Sequence, residues 1–309
     1  MFAAPTRSQS QLSALLVLLL ITSFGLVESA SAQDEGRYRP QGRQIGTAVG
    51  REFREQVYEV RIYDPQPAVA QFSKATIFYP LTLSFAPPYG AVVLVPGYRG
   101  TQDNYDWWGP ALASLGMAVM IIDTNQPDDA FEARKQAHIA AVEFLLAENA
   151  KADSPIKGRI DTNKIAIMGH SLGGGAALAA AVELGDRIKA VVPLLPYCCE
   201  LGQSFTGNYS DLHVPTLIFA SAEDTVAPPA QHARALYDSI AADTPRVYAE
   251  FAKGPHTMAT NTGEELMAMG RFTLAWLKLN LDGKANFADA LTTLGSDWTD
   301  TFSRFEYKP

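Results

Sequence analysis

Runs of five residues with almost no polar side chain recur along this chain, at Ala91–Val95, Ala118–Ile122, Lys164–Met168, Ala190–Leu194 and Thr216–Ala220. A strand that is apolar at every position, rather than at every second one, must be covered on both faces. Between and after the runs lie segments of helical spacing: Ala111–Leu115, which closes at Gly116, then Ala130–Glu148, Gly173–Leu184 and Ala230–Ile240. A further strand at Arg246–Glu250 precedes a last helix over Glu264–Lys278, and two strands, Val57–Ile62 and Ala75–Tyr79, precede the first run. Buried strands alternating with helices predict an α/β fold whose mostly parallel central sheet carries helices on both faces. No repeat or low-complexity linker divides the chain. One catalytic-sized α/β domain is expected over residues 50–281, preceded by a polar lead-in over 33–49. A C-terminal extension over 282–309, with Trp298, Phe302, Phe305 and Tyr307, is expected to pack on the domain.

Charge and cysteine content exclude several classes of function. With 25 Lys and Arg against 33 Asp and Glu, the net charge of −8 offers no clustered positive surface for a nucleic-acid backbone. Two cysteines cannot make a disulfide framework or a multi-cysteine zinc site. They are the neighbours Cys198 and Cys199, whose Cα atoms, about 3.8 Å apart across a trans peptide, lie below the usual disulfide range. Two free, half-buried thiols are therefore expected.

At the amino terminus Arg7 precedes an apolar run, Leu15–Ile21, and then the small-residue pattern Ala30-Ser31-Ala32. Basic, apolar and small residues in that order describe a secretory signal peptide. Thr22, Ser23 and Gly25 interrupt the run, leaving it short of the roughly 20 residues that span a bilayer. Residues 1–32 are therefore read as a signal peptide cleaved near Ala32, with the mature protein secreted to the periplasm or beyond the cell and no membrane span.

The pentapeptide Gly169-His170-Ser171-Leu172-Gly173 stands between an apolar strand and a small-residue helix. That is the context of the G-x-S-x-G nucleophile elbow of the α/β-hydrolase fold, whose tight turn lifts a serine hydroxyl above the sheet at a helix N-terminus. The serine then needs a base, and the base needs a carboxylate to orient it. Chain order in this fold is serine, acid, histidine. Of the five histidines, His138, His170, His213 and His232 are most simply surface or packing residues, and His256 occupies a loop beyond the last strand. His256 is the expected base. The acid should follow the strand Thr216–Ala220, where Glu223 and Asp224 compete, and Asp224 is preferred. Asp123 also ends a strand but precedes the nucleophile. An oxyanion hole is built from backbone N–H groups. Leu172 directly after the nucleophile, and Tyr98 in the loop Pro96–Gly100, are the candidates. The Tyr98 ring either lines the acyl pocket or packs the loop.

Taken in order, Pro96-Gly97-Tyr98-Arg99-Gly100-Thr101, Trp108-Gly109, Ile122-Asp123-Thr124-Asn125, Met168–Gly175, Val214–Ile218, Asp224-Thr225-Val226-Ala227-Pro228 and Pro255-His256 resemble the bacterial cutinase and PET-hydrolase-like polyesterases. The resemblance runs from about Phe72 to Lys278. It implies hydrolysis of carboxylic esters through an acyl-serine intermediate, with no metal and no cofactor. The expected partner is an ester substrate, extending to polymeric polyester, met by a monomer. That family places an aromatic residue behind a proline after the strand that follows the elbow helix. Pro196-Tyr197 holds that place, so Tyr197 would face Tyr98 as a second wall of the substrate site. The chain departs from the family in having no cysteine after Cys199, in a longer Cys198–Tyr209 loop and in its C-terminal tail. A small-ester or lipid-acyl esterase of the acetylhydrolase type, and a non-catalytic binding protein on the same scaffold, are the alternative readings.

Overall fold

The computed structural model describes residues 40–82, 89–292 and 294–309. The signal-peptide reading of residues 1–32, and the first part of the polar lead-in, lie outside the described residues. The chain begins here with helix α1 (Pro40–Phe53), followed by strands β1 (Glu59–Tyr63), β2 (Phe72–Leu81) and β3 (Tyr89–Val95). Helix α2 (Trp108–Ala113), β4 (Met117–Thr124), α3 (Phe131–Ala150), β5 (Ile160–His170) and α4 (Leu172–Leu184) come next. Then follow β6 (Ala190–Leu194), β7 (Thr216–Ser221), α5 (Ala233–Ser239), β8 (Arg246–Phe251), α6 (Leu266–Asp282), α7 (Asp289–Thr292) and β9 (Phe302–Lys308).

These strands form one nine-stranded sheet in the order β1-β2-β4-β3-β5-β6-β7-β8-β9. The run from β4 to β8 is parallel, and β1, β2 and β9 join it antiparallel at the two edges. Every residue of β3 from Ala91 to Val95, and of β4 from Ala118 to Ile122, is sealed from solvent. Full burial on both sides is what unbroken apolar strands require. On one face, α3, α4 and α5 bury Ala137, Ala141, Leu145, Ala177, Leu178 and Leu236 against the sheet. On the other, α1, α2 and α6 pack on one another. The sheet order reverses between β3 and β5: the chain leaves β3 for β4 on one side and returns to β5 on the other. Ligand sites of open α/β sheets lie at such a switch point, beyond the carboxyl ends of the strands.

At the amino end the structure departs from the sequence reading, and at the carboxyl end the expected packing goes further. Part of the expected polar lead-in is helix α1, whose buried residues Gly42, Ile45, Gly46, Val49 and Gly50 fall on one helical stripe. Glycine disfavours a helix interior, so propensity hid the pattern. Close packing reverses the balance, since a Cβ on Gly46 would overlap Ser114 Oγ and the Ala111 carbonyl of the helix below. Arg271 of α6 fixes the far end, donating from Nε and Nη2 to the Glu52 carboxylate at 2.6–3.0 Å. Its guanidinium also lies over the rings of Phe53, Phe272 and Trp298. The aromatic C-terminal segment becomes an element of the sheet itself, pairing β9 with β8 from Lys308 opposite Arg246 to Phe302 opposite Phe251.

The substitution Gly46→Leu therefore overpacks the α1–α2 contact and should destabilise the protein by about 1–3 kcal/mol. Urea unfolding of the variant checks this. A midpoint equal to that of the parent protein would mean that α1 does not pack on α2 in solution.

Candidate active site

The elbow is a single residue long, because β5 ends at His170 and α4 starts at Leu172. Ser171 holds φ 55° and ψ −123°, a backbone region that costs a non-glycine residue on the order of 1–3 kcal/mol. Hydrogen bonds on both sides hold it there. Its N–H donates to the Leu194 carbonyl at 3.0 Å, and its own carbonyl accepts from Gly174, Gly175 and Tyr197 at 2.8–3.0 Å. The glycine at 173 is dictated by crowding, since a Cβ there would drive into the carbonyls of Val95 and Pro96. That contact seats the start of α4 against the loop that follows β3.

The turn brings Ser171 Oγ to 2.7 Å from His256 Nε2, and His256 Nδ1 lies 2.7 Å from Asp224 Oδ2. A carboxylate only accepts, so Nδ1 carries the imidazole proton and Nε2 is left bare to accept the serine hydroxyl. Asp224 Oδ1 accepts the N–H groups of Val226 and Ala227 at 2.9 and 2.8 Å. Burial pushes the Asp224 carboxyl up, but the His256 ring and those two N–H groups outweigh it and hold it below its ordinary value. Glu223, the competing acid in the sequence, does not reach the ring. Its carboxylate accepts the Gly254 N–H at 3.1 Å, and Ser221 Oγ donates to the Gly254 carbonyl at 2.6 Å. Together they tie the loop after β7 to the loop that carries His256.

The two candidate oxyanion donors come from two different segments. Leu172 opens α4, and Tyr98 stands in the loop after β3. Among the described residues neither N–H is engaged in a hydrogen bond. The Gly97 carbonyl accepts from Gly100 N–H at 2.9 Å, which points the other end of the same peptide plane, the Tyr98 N–H, the opposite way. Arg134 holds this loop from behind. Fully buried, it donates to the carbonyls of Pro96, Pro127 and Asp129 at 2.7–3.0 Å, and Arg99 N–H also donates to Pro127.

The rings of Tyr98 and Tyr197 are held very differently. Tyr98 is 37% exposed, and the Arg99 guanidinium lies 5.2 Å from its ring centroid. Tyr197 is 9% exposed and packs with Leu172 and Ala227. Its ring packs against His232, tilted by 36° with centroids 4.1 Å apart, and its hydroxyl accepts the Gly202 N–H at 2.8 Å. His232, read from the sequence as surface or packing, is thus the support of this ring, and its Nδ1 accepts the Cys198 N–H at 3.2 Å. Cys198 and Cys199 are joined in a disulfide rather than free. The expectation of free thiols came from the short spacing of neighbouring Cα atoms, and the bond closes within that spacing, 3.8 Å. Among the described residues no group of three His, Cys, Asp or Glu side chains could hold a metal ion. No helix among them is long and apolar enough to cross a membrane.

A mostly parallel sheet, a strand–serine–helix turn at its switch point and a histidine and carboxylate brought to it from later loops define an α/β-hydrolase fold. Residues 55–306 match the family model described as PET hydrolase-like. Cutinase 2 of Thermobifida cellulosilytica is 36% identical over 220 residues, covering 71% of this chain and 78% of that protein. Cutinase est1 of Thermobifida alba is 36% identical over the same share of this chain and 69% of its own length. A bis(hydroxyethyl) terephthalate hydrolase of Streptomyces coelicolor is 34% identical over 74% of this chain and 68% of that protein. The chain belongs to the PET-hydrolase-like family of carboxylic ester hydrolases.

Two further buried histidines shape the pH response. His138 Nε2 donates to the Gly173 carbonyl at 2.9 Å, and burial holds its pKa down at about 4. Burial, and then the neighbouring His256, hold His170 at about 3. In the unfolded chain both rings take up a proton near pH 6.5, so below that pH the unfolded state binds more protons than the folded one. Their stabilisation is complete above pH 6.5 and is lost as the pH falls toward 4, at up to about 1.4 kcal/mol per pH unit for each ring. Urea unfolding at pH 7.5, 5.5 and 4.5 should show this steepening loss. Equal stability at the three values would place both rings in contact with water.

Proposed function

We propose that the protein is a secreted serine esterase of the polyesterase type, working through an acyl-enzyme on Ser171. The observation that carries this reading is the continuous contact from Ser171 Oγ through the His256 ring to Asp224, with 2.7 Å at each step. In the reaction, Oγ attacks the ester carbonyl while His256 Nε2 takes its proton, and the Asp224 carboxylate stabilises the imidazolium that forms. The negative oxygen of the tetrahedral intermediate is bound by the N–H groups of Tyr98 and Leu172. His256 returns the proton to the departing alkoxide, leaving the acyl-serine. A water molecule, deprotonated by the same ring, then releases the acid and restores Ser171. No step requires a metal or a cofactor.

The names of the relatives support the substrate class, since they act as cutinases and, in one case, on bis(hydroxyethyl) terephthalate. Tyr98 and Tyr197 would hold a flat acyl group between them, aromatic contacts of this kind being worth roughly 0.5–1.5 kcal/mol. Export is supported by the basic, apolar and small residues of positions 1–32.

On this account Ser171→Ala and His256→Ala each lower kcat by roughly 10⁴- to 10⁶-fold. Asp224→Asn costs on the order of 10⁴-fold by favouring the wrong tautomer of His256, whereas Glu223→Gln is mild. Steady-state hydrolysis of p-nitrophenyl butyrate checks all four. A crippled Glu223→Gln beside an active Asp224→Asn would reverse the assignment of the acid.

The tyrosine walls are tested separately. Tyr98→Ala keeps its backbone N–H while losing the ring, and Tyr197→Ala removes the opposite wall. Both should lower kcat/KM for aromatic or polymeric esters about tenfold more than for p-nitrophenyl acetate, a discrimination of about 1.4 kcal/mol. Equal proportional losses on the two substrates would show that the rings only pack their loops.

A further inference from the structure

His170 and Tyr105 are buried beside the site, at 4% and 2% exposure, and the reaction just described uses neither side chain. His170 closes β5, and both nitrogens of its ring are engaged. Its Nε2 lies 2.8 Å from the main-chain carbonyl of His256, and its Nδ1 lies 2.8 Å from the Tyr105 hydroxyl. The same hydroxyl lies 3.3 Å from the Gly97 N–H.

The chemistry of these atoms allows one arrangement of protons. A carbonyl oxygen only accepts, so Nε2 must carry a hydrogen. In the neutral ring Nδ1 is then bare and accepts, so the phenol donates to it. The phenol oxygen is left free to accept from Gly97. The sequence of donors runs from Gly97 N–H, through Tyr105 O–H and the His170 ring, to the carbonyl of His256. It begins at the residue before the candidate oxyanion donor Tyr98 and ends on the main chain of the base.

We propose that Tyr105 and His170 are positioning residues that fix the oxyanion loop and the catalytic base relative to each other through this one-way hydrogen-bond relay. The inference rests on reading Ser171, His256 and Asp224 as the catalytic set. A second group of contacts joins the same two segments. Asn261, just beyond His256, donates from its N–H to Asn104 and from its side chain to the Asp103 carbonyl, and accepts from Trp107 N–H. The indoles of Trp107 and Trp108 both donate to the Ala259 carbonyl. The segment carrying Tyr105 is therefore already bound to the base loop, and the relay extends that bond to Gly97.

Protonation of His170 would place a hydrogen on Nδ1, facing the phenol, and reverse the Tyr105 donor. Tyr105, His256 and Asp224 are the titratable groups that act on or touch this ring. Burial keeps the ring neutral to about pH 3 and raises the Tyr105 phenol to about 12. The relay keeps its direction across the range in which the enzyme would work.

The test combines kinetics with a spectroscopic readout on the full-length protein. Tyr105→Phe keeps the ring and removes the hydroxyl. It should lower kcat for p-nitrophenyl butyrate about tenfold with KM within twofold. His170→Leu should do at least as much, while His170→Gln, whose amide can donate at one end and accept at the other, should return to within about fivefold of the parent. Because one relay is broken in each case, Tyr105→Phe combined with His170→Leu should be no slower than His170→Leu alone. In the unsubstituted protein, ¹⁵N imidazole resonances should show His170 with a bare Nδ1 and a protonated Nε2 from pH 8 to pH 5. The proposal is overturned by a protonated Nδ1 in that range, by an unchanged kcat in Tyr105→Phe, or by losses that simply multiply in the double variant. Labelling of Ser171 by a fluorophosphonate separates this from the underlying reading. An unlabelled parent protein overturns both, whereas a labelled one with full activity in Tyr105→Phe overturns the relay alone.

Discussion

Ser171 cannot relax to an ordinary backbone conformation without undoing the contacts around it. Its φ of 55° is held between β5 and α4 by hydrogen bonds to Leu194, Gly174, Gly175 and Tyr197. The absence of a side chain at 173 lets the helix start lie against the carbonyls of Val95 and Pro96. One strained residue therefore determines where three loops meet. The loop after β3 is pressed against the helix start, the loop after β6 is tied to the Ser171 carbonyl through Tyr197, and the loop after β8 brings His256 to Oγ. Strain of this kind persists only where the surroundings over-determine it. Here nearly every surrounding bond comes from backbone or from fully buried residues.

Burial then sets the charges. Arg134 donates to the main-chain carbonyls of Pro96, Pro127 and Asp129, and Asp224 accepts from the His256 ring and from two N–H groups. His138 and His170 stay neutral under the elbow, each donating to a main-chain carbonyl. Hydrogen bonds are electrostatically stronger in such surroundings, and unmade ones cost more. These bonds hold the Pro96 loop and the His256 ring in fixed orientations beside Ser171.

Much of this was legible in the sequence because it rests on local patterns. The unbroken apolar runs mark β3 to β7, the pentapeptide marks the elbow, and chain order singles out His256 and the acid loop. What escaped depends on distant partners. Helix α1 reads as a polar, glycine-rich lead-in until α2 is placed beneath its glycines, and β9 reads as an aromatic tail until β8 offers it an edge. Tyr105 lies in no motif, and His170 reads as the neutral middle residue of the elbow. Their link appears only when the loops after β3 and β8 are brought together. His232 and the Cys198–Cys199 disulfide likewise become meaningful only beside Tyr197. Adjacent cysteines carry no long-range pairing signal, and their spacing argued against a bond.

If the strained elbow presents the nucleophile, Ser171 itself becomes acylated during turnover. Rapid acid quench during turnover of p-nitrophenyl benzoate, followed by mass spectrometry of the proteolysed enzyme, tests it directly. A benzoyl mass increment confined to the peptide containing Ser171 is expected, rising in the first turnover together with a stoichiometric burst of p-nitrophenol. Turnover with no adduct on any peptide, or an adduct on a residue other than Ser171, would contradict it.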